Sequence, residues 1–416
     1  STEVLISHDW RPAACIYFLQ PSFNTSEQTS MAAKKSKPKK NVSPDVLIIA
    51  DSDHNADMLY ATGMFAPDPF IYLRRKGREY LCMSDLEFDR AKKEAPHCEI
   101  LSLSKIQSAL QRQGVKHPGW GEVAAWMLKK YRIKSIQVPE AFPLQMARRI
   151  GEYSPETVLN PSEVFPERLI KTPREIRYLQ EALRMTEIGL QVAVRTLKQS
   201  KINQKKILTF QGKPLSSEKL RAVIHTAICQ EGGLASNTIV AGGNQACDPH
   251  NRGSGILMAH QAIILDIFPR SESTGFFGDM TRTVVRGKAS DGVKKQYAAV
   301  QEAQQHAINI TKDGVSGLGV HEAVEGVFRK HDFPTKRING QMSGFYHGTG
   351  HGLGLEIHEW PRMGKTSTDT LKSGNVMTVE PGLYYYGVGG VRLEDVIVVR
   401  SGKARVLTSF EKVLEI

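Results

Sequence analysis

Three histidines, His347, His351 and His358, fall within Phe345–Glu359 (FYHGTGHGLGLEIHE), interleaved with Gly348, Gly350, Gly352 and Gly354. Four acids stand on apolar, strand-like runs elsewhere in the chain. Asp266 ends Ala-Ile-Ile-Leu-Asp, and Asp279 sits in Gly-Asp-Met-Thr-Arg-Thr. Glu380 ends Val-Met-Thr-Val-Glu, and Glu394 lies in Val-Arg-Leu-Glu-Asp-Val-Ile-Val-Val. A carboxylate on a buried strand must be neutralised, paired or bound to a cation. One imidazole with four carboxylates makes a chemically sensible shell for a pair of divalent metals.

Each acid also has a bland explanation, for example an ion pair between Asp266 and Arg270 or Arg282. As a set, beside a glycine-framed histidine cluster, they do not. Strand alternation puts Asp279, Thr281 and Thr283 on one face. It likewise aims Arg392, Glu394 and Val396 one way and Asp395 the other. Competing motifs fail. No HExxH zinc helix exists, because His358-Glu359 runs into Trp360-Pro361 and residue 362 is Arg. A phosphate-binding GxGxxG fails because Leu353 stands where glycine is needed. A serine elbow GxSxG is absent from the stretch. Oxygen-rich ligation with one imidazole suits manganese, cobalt, iron or zinc better than a thiolate-favouring metal.

The elements that must position these groups follow from local pattern. Each glycine costs about 1 kcal/mol in a helix interior, so the histidine stretch reads as strand, tight turn, strand. Glycine there permits positive φ and close backbone approach. From Asp45 strands and helices alternate: strand Val46–Ala50, a helix through Tyr60, and a hairpin of Phe70–Leu73 with Glu79–Cys82. Helical Asp85–Glu94, strand Glu99–Leu103, helix Glu122–Tyr131, strand Ser135–Val138 and helix Phe142–Tyr153 complete an α/β unit. His54 and Asp57 in it are read as turn and capping residues. Pro155, Pro161, Pro166 and Pro173 mark a junction, after which Thr172-Pro-Arg-Glu opens a long helix with Thr172 as N-cap. Helices over Ser217–Gln230, Val293–Thr311 and Gly319–His331 are expected. So are strands at Thr238–Ala241, Ala262–Phe268, Phe276–Val285, Val376–Glu380, Val391–Val399 and Arg405–Leu407.

Composition sets bounds. With 40% hydrophobic and 24% charged residues over 416 positions, the chain can bury large cores. The apolar runs fall short of a membrane span. Five cysteines, few and widely spaced, argue for a reducing, cytoplasmic compartment and against a disulfide framework. Of the net charge of +12, residues 1–45 supply little, with six Lys/Arg against four Asp/Glu. The excess is therefore spread over the folded part, without the aromatic-basic interleaving expected of nucleic-acid binding. Residues 1–44 read as a disordered or non-native leader containing a lysine run, and Met31 resembles a natural start.

HGTGHGLGLEIHE, VMTVEPGLYY and GVRLEDVIVV resemble the motifs of the pita-bread metallopeptidases, in the aminopeptidase P and prolidase branch. The resemblance runs from Asp45 to the C-terminus. It implies an α+β chain, with a creatinase-like N-terminal α/β domain over 45–165 and a pita-bread catalytic domain over 166–416. It implies hydrolysis of the Xaa-Pro bond at peptide N-termini or in dipeptides, by hydroxide activated on two divalent metals. Manganese is the first expectation for them, with cobalt, zinc or iron as alternatives. By this resemblance Asp266 holds one metal, His351 and Glu380 the other, and Asp279 and Glu394 bridge. Glu380 moves the proton, His358 and His250 stabilise the tetrahedral intermediate, His347 lines the substrate pocket, and Arg392 stands beside the last bridging acid. A proline-containing peptide is the expected partner, a homodimer the expected assembly, and neither membrane nor nucleic acid is expected. The alternatives are a catalytically inactive interaction protein on the same scaffold, or a relative acting on another small amide. One departure stands out: the Asp266–Asp279 hairpin is two residues longer than the family pattern. An even insertion preserves strand parity, so both carboxylates still face one cavity.

Overall fold

The computed structural model describes residues 44–416. The leader expected up to residue 44 therefore lies, but for Pro44, outside them.

Residues 46–162 build a six-stranded mixed sheet. Its order is Glu99–Ser102, Arg78–Met83, Phe70–Arg75, Val46–Ala50, Ser135–Pro139 and Val158–Ser162. The three strands in the middle of that order from Arg78–Met83 to Val46–Ala50 are antiparallel, and the outer pairings are parallel. Two elements differ from expectation. Leu103 begins a helix, Leu103–Arg112, with the Ser102 hydroxyl accepting from the Lys105 amide as N-cap. A short strand followed at once by a cap leaves no polar loop to signal the change. The proline-rich junction contains the strand Val158–Ser162, in which Pro161 is tolerated because the strand lies at the sheet edge.

The Pro173–Gln199 helix opens with the expected cap. The Thr172 hydroxyl accepts from the Glu175 amide, and the Glu175 carboxylate accepts from the Thr172 amide. Beyond it, helices lie outside and strands inside. Leu190, Leu197, Leu220 and Ile224 of the Pro173–Gln199 and Ser217–Gln230 helices pack on Ile263, Leu265 and Ile267. Val293, Val300, Val320 and Phe328 of the Asp291–Ile310 and Gly317–Lys330 helices pack on Met377, Val379 and Val391. Each fully buried side chain of this kind contributes about 1.5–3 kcal/mol. The opposite strand faces are left to line a cavity.

Two inner sheets matter for that cavity. One is antiparallel, ordered Ile239–Gly242, Ala262–Ile267, Met280–Val285. The other runs Glu359–Met363, Gly350–Gly352, Val376–Val379, Asp395–Val398, Arg405–Val406. The single strand expected over Val391–Val399 is two strands in different sheets. Gly389–Arg392 pairs with Gly382–Tyr385, a strand absent from those expected. Asp395–Val398 pairs with Val376–Val379. At the crossing, Leu393 and Glu394, the partner changes, so simple alternation stops. Glu394 turns toward the cavity, whereas Val396, two residues on, packs with Leu353 and Val376 in an apolar cluster.

Candidate metal centre

Alternation on the central strand explains the first acid. Ile263, Leu265 and Ile267 face the helices, so Ile264 and Asp266 face inward. Asp266 pairs with Thr281 in the ladder and Ile267 with Met280. Continuing that register sets Asp279 one pleat beyond Asp266 on the same face. The longer hairpin therefore keeps both carboxylates on one side, as its even length requires.

Asp279, His351 and Glu394 are all buried, and one ligand atom from each lies within 4.8 Å of the others. His351 Nε2 is 3.3 Å from Glu380 Oε1 and 3.7 Å from Asp279 Oδ2. The His351 ring is held by its other nitrogen, Nδ1, which is 3.0 Å from the Gly352 carbonyl. That contact fixes the proton on Nδ1 and turns the Nε2 lone pair toward the acids. Thr281 donates to Glu394 Oε2 at 2.8 Å, and Thr378 reaches Glu380 Oε1 at 3.4 Å. The two sheets are stitched at this point by the Glu394 amide donating to Thr281 O and the Arg392 amide to Thr283 Oγ1.

The arginine partner of Asp266 is neither of those expected. Arg270 donates to the carbonyls of Asp53 and Gly275, and Arg282 pairs with Asp395 at 2.8 Å. Instead Arg392 Nη2 donates to Asp266 Oδ2 at 2.7 Å. Asp266 Oδ1 remains buried with no partner among the described residues. Four carboxyl groups thus share the Arg392 guanidinium, with Arg362 a further cation acting on Glu380. Burial, and then the neighbouring acids, push Asp279 and Glu394 well above the usual carboxylate range, and Glu380 rises to about 7. Burial pushes His351 down to about 3, so it is a neutral imidazole. An orphaned carboxylate oxygen, a surplus of mutually repelling acids and a neutral imidazole aimed at them fit divalent cations.

A model of metallopeptidase family M24 matches residues 177–401. The chain belongs to that family. Among curated proteins it is similar to the Xaa-Pro dipeptidase of Pyrococcus furiosus, with 28% identity over 250 residues. That match spans 59% of this chain and 65%, a little under two thirds, of the relative. Among solved structures it is similar to an Xaa-Pro dipeptidase from Bacillus anthracis, with TM-score 0.75 and 24% identity over 90% of this chain and 95% of that one. An X-Pro aminopeptidase from Thermotoga maritima gives TM-score 0.74 at 24% identity, over 90% and 97% of the two chains. The architecture is that of an M24 pita-bread peptidase with a preceding N-terminal domain.

The M24 cavity of about 1530 Å³ is also lined by His250, His347, His358 and Arg392. The rings of His351 and His358 meet edge to face at 4.5 Å. His250 is exposed on its loop, its amide donating to Asp248 Oδ1 at 3.1 Å. His347 Nε2 is 2.8 Å from the Tyr384 hydroxyl, which accepts from Arg392 Nη1 at 2.9 Å. Tyr384 thus links His347, through Arg392, to Asp266. Sequence reading missed it because Gly382–Tyr385 did not register as a strand.

Sequence reading also missed Glu359. Its carboxylate accepts from Arg168 Nη2 at 2.7 Å and Lys171 Nζ at 2.5 Å, and from the Leu355 and Glu356 amides. Arg168 reaches Asp57 and Glu356 as well. This buried network ties the turn bearing His358 to the segment before the long helix. Burial raises the Glu359 pKa, but Lys171 and Arg168 outweigh it and hold the carboxyl below its ordinary value. The only sequence signal was a charged pair, Arg168 and Lys171, beside the junction prolines.

The motif glycines serve close approach rather than unusual dihedrals. None of Gly348, Gly350, Gly352 and Gly354 has positive φ. A Cβ at Gly350 would lie 2.0 Å from the Thr378 carbonyl oxygen, and one at Gly352 2.3 Å from that of Trp360. The strand bearing His351 is thereby pressed between both neighbours.

Proposed function

We propose that this M24 chain is a dinuclear-metal peptidase that hydrolyses the Xaa-Pro bond at peptide N-termini or in dipeptides. The observation that carries the reading is the convergence of four carboxyl groups and one neutral imidazole, with Asp266 Oδ1 buried and unpartnered among the described residues. The names of the relatives, Xaa-Pro dipeptidase and X-Pro aminopeptidase, supply the substrate class.

In this reading Asp266 would hold one cation and His351 and Glu380 the other, with Asp279 and Glu394 shared by both. Divalent cations so held supply Lewis acidity and a water nucleophile near neutral pH. Manganese is the proposed metal, since four carboxylates and one imidazole form a hard, oxygen-rich set. Arg392, through its fork to Asp266 and Tyr384, fixes the orientation of the first ligand.

Glu380 takes the proton of the attacking water and delivers it to the leaving nitrogen. His358 and His250 donate hydrogen bonds where negative charge develops on the carbonyl oxygen. Burial, followed by Arg362, lowers the His358 pKa, so it donates as a neutral imidazole. Proline selectivity rests on an amide nitrogen without a hydrogen, which asks no acceptor of the pocket.

The test is hydrolysis of Ala-Pro, Ala-Pro-Ala and Ala-Ala by protein loaded with manganese, and again after chelation. Release of alanine from the first or second peptide, lost on chelation and nearly absent for Ala-Ala, is expected. Equal cleavage of Ala-Ala, or activity indifferent to chelation, refutes the reading.

A further inference from the structure

We infer a second, non-catalytic metal site in the N-terminal sheet, formed by Glu79, His97 and Cys98, that takes a borderline-soft divalent ion of the zinc class. It stands apart from the residues lining the M24 cavity. Tyr80 pairs with Glu99 across the parallel strands Arg78–Met83 and Glu99–Ser102, so Glu79 and Cys98 are neighbours one step before that pair. His97 precedes Cys98 in a turn closed by the Cys98 amide donating to the Ala95 carbonyl.

One ligand atom from each of the three residues lies within 4.8 Å of the others. His97 Nε2 is 3.6 Å from Glu79 Oε2, and Cys98 Sγ is 4.0 Å from the same oxygen. Tetrahedral zinc with bonds of about 2.0 Å to N and O and about 2.3 Å to S sets its ligands about 3.3–3.6 Å apart. The two separations to Glu79 Oε2 therefore need to contract by only a few tenths of an ångström. Glu79 is already oriented by Tyr72, whose hydroxyl donates to Oε1 at 3.1 Å, leaving Oε2 for the ion. Without the ion His97 Nε2 donates to the Ala61 carbonyl oxygen at 3.0 Å, a hydrogen bond that ligation through Nε2 replaces.

A thiolate, an imidazole and a carboxylate select zinc or cobalt over manganese, the opposite preference to the cavity acids. Cys98 is buried and, among the described residues, unpaired, and burial, then Glu79, push its thiol up to about 12. Without a cation it is therefore protonated and inert. Binding transfers that proton to solvent and leaves one net positive charge fewer than the free ion brings, the Glu79 carboxylate cancelling another.

Cobalt(II) titration of the full chain tests the site, because a thiolate-to-cobalt charge-transfer band cannot arise from carboxylates and histidine alone. One equivalent of cobalt is expected to raise that near-ultraviolet band, and zinc to abolish it. Cys98→Ser should remove it, while Cys229→Ser, at an exposed thiol elsewhere, should leave it intact. His97→Gln and Glu79→Gln, at partly exposed positions, should each weaken binding at least tenfold and serve if Cys98→Ser misfolds. Absence of the band, or its survival in Cys98→Ser or in both Gln variants, overturns the inference. None of these readouts involves peptide hydrolysis, so failure here leaves the peptidase proposal standing.

Discussion

Chelating the metal should make this protein less stable as pH rises, and the Glu380 carboxyl provides the means to measure it. In the metal-free protein its pKa is raised from an ordinary 4.5 to about 7, first by burial. The folded state then holds a proton that the unfolded state has released, so stability falls as pH climbs between those values. The difference in proton affinity corresponds to about 3 kcal/mol, a loss complete above neutrality. For a folded region of this size that is a Tm decrease on the order of 4 °C. Asp279 and Glu394 are shifted in the same direction and add to it. Other groups titrate too, so the comparison should be chelated wild type against chelated Glu380→Gln, whose amide cannot ionise. Calorimetry from pH 4.5 to 8 should show the wild type losing ground on the variant by about that amount. With manganese the trend should reverse, because cation and proton compete for the same oxygens. Titration calorimetry in buffers of different ionisation enthalpy should then report net proton release near pH 7 as the acids are displaced. A pH-independent difference between the two proteins, or metal uptake without proton release, refutes the electrostatic account of the cavity.

Glu359→Gln should destabilise the protein by about 3–5 kcal/mol in urea unfolding, since Arg168 and Lys171 lose their shared buried carboxylate. Because the Glu359 pKa is depressed, its contribution is present above its unfolded pKa and lost as pH falls through the lower folded value. The variant should therefore show a flatter acid limb. Tyr384→Phe removes the hydroxyl joining His347 to Arg392 and should lower kcat/KM about tenfold with metal content unchanged, as measured by steady-state kinetics and metal analysis. Arg392→Met leaves both Asp266 oxygens without a protein donor and should reduce bound manganese as well as activity. Gly350→Ala should lose metal or fold, because its Cβ would overlap the Thr378 carbonyl, whereas Gly151→Ala, at an exposed helical position with open space, should keep metal affinity.

Much of the site was legible in the chain because local pattern suffices for it. Asp266 and Asp279 share a face by parity alone, and the glycines of residues 348–354 forbid a helix whatever surrounds them. Capping chemistry placed the start of the Pro173–Gln199 helix at Thr172 for the same local reason. What failed was whatever depends on partners distant in sequence. Alternation could not foresee that the chain changes sheets at Leu393–Glu394, since nothing local marks which neighbour a strand will pair with. Nor could it find the arginine that pairs with Asp266, Arg392 rather than Arg270 or Arg282, because the deciding contact spans 126 positions. Residue types and spacing thus determined which groups are able to bind cations. Only tertiary packing decided which carboxylate oxygen was left without a donor, because hydrogen-bond satisfaction is a property of the whole enclosed cavity and not of any one segment.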